Sequence, residues 1–187
     1  MSAPTLTTAR LVLRQLRADD AAALFPALSD PAVMQWWSSG PHQSVAETEA
    51  YLETNAAEGD GHQCWAITAQ GDDSAVGWVI LMDGKPGVAE IGYILRHDRW
   101  GAGIAQEAVA GVIDHGFRAL DLRRIFADTD PENDGSIALL ERLGFVREGR
   151  LRGEWLTHIG VRDSLIFGLL ADEWQGGPRY ETTENMT

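Results

Sequence analysis

The sequence predicts a mixed α/β domain that opens as an antiparallel meander and continues through a helical crossover. Three observations lead there. Short apolar runs of period two recur between turn residues, one long pattern of period 3.6 lies between two of them, and a glycine-rich segment joins strand to helix. A helix linking neighbouring strands implies that those strands run parallel.

"RLVLRQL" (Arg10 to Leu16) alternates and reads as the first strand. Asp19 or Asp20 then suits the cap of a helix with Ala21, Leu24, Phe25 and Leu28 on one side, which Pro26 should kink or shorten. "SDPAVMQWWSSGPH" reads as a turn-rich connection. Ser44 and Glu47 have capping-box spacing, and Gly59 closes a second helix. "HQCWAITA", "AVGWVILMD" and "VAEIGYIL" read as strands two to four, separated by the turn chemistry of "QGDDS" and "GKPG". From about Gly103 to Leu120, Ala105, Val109, Val112, Ile113, Phe117 and Leu120 share one side of a helix, with Gln106, Glu107, Asp114 and Arg118 elsewhere. "RRIFADTD" is the fifth strand, "SIALLERLG" a short helix ended by Gly144, and "FVREGRL" and "RDSLIFGLLA" the last two strands. Residues 1–174 make one domain, and residues 175–187 have little to bury and read as a flexible tail.

With 187 residues, 44% of them hydrophobic, the chain can fill one ordinary core and is short for two. A net charge of −13 argues against nucleic acid as a partner, because grip on a phosphate backbone depends on Lys and Arg releasing counterions. A cationic amine or basic peptide suits that field better. Cys64 is the only cysteine, so no internal disulfide can form; it reads as a small buried hydrophobe in a strand. No apolar run reaches the roughly 20 residues of a membrane span and no signal-peptide pattern opens the chain, so the expected location is cytoplasmic. His42, His62, His97, His115 and His158 show no metal-ligand spacing, and no metal is expected.

The stretch "EIGYILRHDRWGAGIAQEAV" carries the chemistry. Gly101, Gly103 and the small Ala105 sit where the long helix begins. A helix N-terminus leaves backbone N–H groups without partners and carries partial positive charge, so a pyrophosphate is stabilised there if side chains leave room. Plain turn geometry explains two glycines equally well. A mononucleotide P-loop is excluded by the absence of G-x-x-x-x-G-K-[ST], and the dinucleotide fingerprint lacks its third glycine.

The segment resembles motif A of the GNAT superfamily of N-acetyltransferases, in which a [QR]-x-x-G-x-[GA] turn holds the pyrophosphate of acetyl-coenzyme A. Trp100 stands where Gln or Arg is usual, as in the RimJ/RimL-like, ribosomal-protein N-acetyltransferase branch. "TARLVLRQL", "AEIGYIL", "NDGSIALLERLGF" and "DSLIFGLLADEW" match that branch too, so the resemblance runs from about Thr7 to Trp174. It implies a mostly antiparallel sheet of about seven strands flanked by about four helices, with strands four and five parallel and splayed. It also implies acetyl-CoA as co-substrate, bound by the turn Gly101, Ala102, Gly103, Ile104, Ala105 and Gln106, by the backbone of Tyr93, Ile94 and Leu95, and by Asn133 and Ser136.

Acetyl transfer needs a neutral amine, and an amine with a pKa of about 10 is protonated at neutral pH. Glu90 matches the strand-four general base of relatives; a Glu paired with Arg across the sheet is the equal alternative. Asn133 and Ser136 also suit helix capping. The family tyrosine that protonates the departing thiolate is here Leu140, which leaves Ser136 or water as hydrogen-bond donor. Trp36 and Trp37 fall in the loop that lines the acceptor site of relatives, one of them as core. The acceptor is a primary amine, on a protein N-terminus or a small molecule. A non-catalytic acyl-CoA-binding or regulatory module stays open because of Leu140, and a homodimer is allowed although no interface is marked.

Overall fold

Residues 2–56, 61–176 and 181–183 are described by the structure, a computed structural model. The period-two runs become strands and the period-3.6 runs helices: β1 (Thr5–Thr7), β2 (Leu11–Gln15), α1 (Ala21–Leu28), α2 (Pro31–Met34), α3 (Val45–Ala56), β3 (His62–Ala69), β4 (Asp72–Asp83), β5 (Val88–Leu95), α4 (Ile104–Arg118), β6 (Arg124–Thr129), α5 (Asp134–Arg142), β7 (Val146–Thr157), β8 (Gly160–Leu170) and β9 (Glu181–Thr183). The nine strands among the described residues form one sheet in the order β7-β8-β6-β5-β4-β3-β2-β1-β9. Every neighbouring pair is antiparallel except β5 and β6, which α4 connects.

Strand alternation divides the interior into two layers. In β4, Val79 and Leu81 join α4 and α5 in one cluster, while Trp78 and Ile80 join α1, α2 and α3 in the other. Val109, Val112 and Ile113 of α4 are completely buried in the first layer, as are Leu24, Leu28 and Leu52 in the second. Each such side chain contributes about 1.5–3 kcal/mol of transfer free energy, which is why the sheet needs a helix layer on both faces.

β5 and β6 pair only at Val88–Arg124, Ala89–Ile125 and Glu90–Phe126. β5 runs on to Leu95 with β4 alone as its ladder partner. The strands therefore splay from Ile91 onward and open a gap in the middle of the sheet.

The differences from the sequence reading have local causes. β1, α2 and β9 are three or four residues long, too short for periodicity to mark. Within the segment read as a tail, Glu181–Thr183 pairs with Thr5–Thr7; residues 177–180 and 184–187, like the helix-closing Gly59, lie outside the described residues. Asp20 does not cap α1 through its side chain. Its carboxylate instead accepts from the Arg17 N–H and the buried Arg14 guanidinium. Asp114, on the polar side by periodicity, is fully buried and accepts from Trp174 Nε1 at 2.7 Å.

Candidate active site

The gap between β5 and β6 continues into a cleft of about 920 Å³ that reaches the first turn of α4 and the start of α5. On β5, Ala89, Ile91, Tyr93 and Leu95 belong to the α4–α5 layer, and Ile94 to the α1–α3 layer. By alternation Glu90 and Gly92 share the face of Ile94. Glu90 and Tyr93 nevertheless line the same cleft, because the missing β6 ladder lets the space pass from one face of the sheet to the other.

The glycine turn has the conformation its residues allow. Gly101 (φ 74°) and Gly103 (φ 73°) are both left-handed, a region that favours glycine. A Cβ at Gly101 would meet nothing within 4 Å, so the turn faces open space. Gly103 is the N-cap of α4 and offers no side-chain acceptor to the helix. The first-turn N–H groups therefore suit an anion, with the helix dipole behind them. Gly101, Gly103, Ile104, Ala105 and Gln106 line the cleft. Ala102 does not; its carbonyl accepts from Arg10 Nη1 at 3.0 Å.

Tyr93, Ile94 and Leu95 line the cleft along the β5 edge that lacks a strand partner. Trp100, which replaces the motif's Gln or Arg, donates Nε1 to the Leu95 carbonyl at 2.9 Å and stacks on His97. Asn133 and Ser136 reach the same space from α5. Asn133 is the N-cap, its Oδ1 accepting the Ser136 N–H at 3.1 Å, so the capping role is realised. The Ser136 hydroxyl lies 2.6 Å from the Tyr93 hydroxyl. Leu140 is fully buried among apolar neighbours.

Burial, reinforced by the negative charge of Asp128, raises the pKa of Glu90. Among the described residues no cation is paired with it. Asp128 lies two residues beyond Phe126, Glu90's partner in register, and therefore on the same face. It accepts from Ser164 Oγ and, at 2.9 Å, from Trp155 Nε1. Trp36 and Trp37 both wall the cleft. Trp37 is also the core one, edge-on to Trp78 and donating to the Tyr51 hydroxyl at 2.9 Å.

Comparison with known proteins fits this geometry. A family model described as an acetyltransferase (GNAT) domain matches residues 10–146. The chain belongs to the GNAT acetyltransferase family. Among its GNAT relatives, an uncharacterized N-acetyltransferase, p20, of Bacillus licheniformis is 36% identical over 92% of this chain and 99% of that one. The spermidine N(1)-acetyltransferase of Escherichia coli is 22% identical over 82% of each. The structure of Mycobacterium smegmatis RimJ in complex with CoA-disulfide superposes with a TM-score of 0.81 at 28% identity, covering 92% of this chain and 90% of that one.

This GNAT protein is an acetyl-CoA-dependent N-acetyltransferase. Among the described residues no helix is long and apolar enough to cross a membrane, and no group of His, Cys, Asp or Glu could hold a metal ion. Asp128 and Trp155, which line the cleft, and Arg10, which holds the Ala102 carbonyl of the turn, escaped the sequence reading. Their only signal was strand register or a distant pairing, and neither is visible before the strands are aligned.

Proposed function

We propose that the protein transfers the acetyl group of acetyl-CoA directly to a primary amine, with Glu90 as general base, as a member of the RimJ/RimL-like branch. The observation that carries this reading is Glu90 itself. A carboxylate with a raised pKa and no paired cation opens onto the cleft that the glycine turn borders. Glu90 takes the proton from the attacking nitrogen, and burial makes it a better proton acceptor than a solvated carboxylate.

Acetyl-CoA supplies the activated thioester. The turn from Gly101 to Gln106 (Ala102 by its backbone position), with the β5 edge at Tyr93, Ile94 and Leu95 and with Asn133 and Ser136, binds it from the α4–α5 face. The amine enters from the opposite face, past Trp36, Trp37 and Trp155, toward Glu90 and Asp128. Two carboxylates beside aromatic walls favour a cationic amine, whether a protein N-terminus or a compact polyamine-like molecule. The E. coli spermidine N(1)-acetyltransferase, named for a polyamine, supports the second of these acceptor classes. A single domain over residues 1–174 in the cytoplasm fits the unpaired, buried Cys64.

Thiol release from acetyl-CoA, followed with a panel of N-terminal peptides and small amines, tests the reading. Turnover with at least one amine, reduced about 100-fold in Glu90→Gln, is expected. Unchanged turnover in Glu90→Gln would remove the base assignment.

A further inference from the structure

Leu140 raises a question that the site's other groups answer. A buried leucine can donate no hydrogen bond, and Leu140 does not reach the cleft. Another hydroxyl, that of Tyr93, lies beside Ser136 in the cleft. Resting on the acetyl-CoA reading above, we propose that Tyr93 is a positioning residue that turns the Ser136 hydroxyl into a donor toward the thioester sulfur, supplying from β5 what Leu140 cannot supply from α5.

The geometry is specific. The Tyr93 and Ser136 hydroxyl oxygens are 2.6 Å apart, a short contact for two neutral hydroxyls. Only one of them can donate to the other. Either hydroxyl can donate across this contact; the phenol, with a reference pKa of about 10, is the more acidic and the better donor, which makes Ser136 the acceptor in the proposed arrangement. Ser136 then holds one proton with no use for it in that bond. Its backbone N–H is already taken by Asn133 Oδ1, which fixes the start of α5 and with it the Cα from which the side chain projects. The remaining hydroxyl proton is left to point into the cleft that both residues line.

Burial holds the Tyr93 phenol up at about 12, the bond with Ser136 pulling it the other way, so Tyr93 stays protonated and a donor across the neutral range. The division of labour follows the two faces of β5. Glu90 handles the proton of the amine on the α1–α3 side; Tyr93 and Ser136 handle the negative charge that develops on the other.

The bonds balance without any further reagent. The amine lone pair forms the C–N bond, the C–S pair stays on sulfur, and the nitrogen proton goes to Glu90. Sulfur leaves as a thiolate, stabilised by the hydrogen bond from Ser136. A thiol pKa near 8.5 makes that thiolate a tolerable leaving group, so a hydrogen bond suffices where full proton transfer is absent.

Tyr93→Phe keeps the ring and removes only the hydroxyl. Together with Ser136→Ala and the double variant it gives a thermodynamic cycle with three readouts: turnover at saturating substrates, calorimetric affinity for coenzyme A, and the thiol pKa of bound coenzyme A from its ultraviolet thiolate absorbance. Each single variant is expected to lose about 10- to 100-fold in kcat, as for a charge-assisted hydrogen bond, and to lose less in affinity for coenzyme A held as the neutral thiol. The bound thiol pKa should rise in both. The double variant should match Ser136→Ala alone, because Tyr93 acts only through Ser136. Wild-type values for Tyr93→Phe in both kcat and thiol pKa, or full additivity in the double variant, would overturn the proposal. Absence of coenzyme A binding to the wild-type protein would instead remove the underlying acetyl-CoA reading and this proposal with it.

Discussion

Arg10 Nε donates to Glu107 Oε2 at 2.6 Å and thereby ties the entry to β2 to the first turn of α4. The same carboxylate accepts from Thr8 Oγ1 and the Arg10 N–H, and Arg10 Nη1 holds the Ala102 carbonyl. The glycine turn is thus braced from behind. Glu107→Ala leaves those donors without their acceptor and should lower unfolding free energy in urea by about 1–3 kcal/mol. The Michaelis constant for acetyl-CoA should rise more than kcat falls, since the brace shapes the turn proposed to hold the pyrophosphate and touches none of the groups proposed for the chemistry. Burial pushes the Glu107 pKa up, but the bonds from Thr8 and Arg10 outweigh it and hold it low. Its stabilising contribution is therefore full above the unfolded value and lost as pH falls through the lower folded one.

Glu90 has the opposite sign. Its folded pKa is raised by burial and by Asp128, so its ionisation costs stability, a cost that appears as pH rises through the folded value. Glu90→Gln removes that cost. At pH near 8 the variant should melt no lower than the wild type while its kcat falls about 100-fold. Loss of rate together with a large loss of melting temperature would mark Glu90 as structural.

How much of this was legible beforehand depended on the range of the interaction. The helix α4, the turn at Gly101 and Gly103, and the strand holding Glu90 were visible because each is set by periodicity or backbone geometry within about ten residues. The splay of β5 from β6 entered only through the family resemblance, as no local pattern encodes where a parallel ladder stops. Asp128 reaches Glu90's face through register, Arg10 meets Glu107 across most of the chain, and the Tyr93–Ser136 contact joins a strand to a helix on the far side of the crossover. In one sequence such pairs look like ordinary polar residues. Trp174 hides Asp114 in the same way, by long-range cover.

Asp128→Asn should separate electrostatics from shape. The substitution keeps one acceptor oxygen, for Trp155 Nε1, turns the other contact into an amide N–H donating to the Ser164 hydroxyl, and removes the negative charge that helps raise Glu90. The acidic limb of the pH–rate profile, where the base becomes protonated, should move to lower pH. For a cationic amine the Michaelis constant should rise at neutral pH, because one of the two carboxylates proposed to face it is gone. A profile that does not move would show that burial alone sets the Glu90 pKa.

His115 predicts the acid sensitivity of the fold. It is buried within α4, edge-on to Trp65 with ring centroids 5.5 Å apart, and among the described residues neither ring nitrogen has a hydrogen-bond partner. Burial lowers its pKa below the ordinary 6.5. The folded protein therefore keeps His115 neutral at a pH where the unfolded chain takes up a proton, and stability falls as pH drops below about 6.5 until the folded value is reached. His115→Phe fills similar space, removes two unsatisfied polar atoms and abolishes this linkage. Denaturant melts from about pH 7.5 down to about pH 5 should show a shallower decline for the variant, with equal or greater stability at the neutral end. Parallel declines in the two proteins would mean that the acid lability comes from carboxylates such as Glu107, and that His115 finds room to ionise without opening the core.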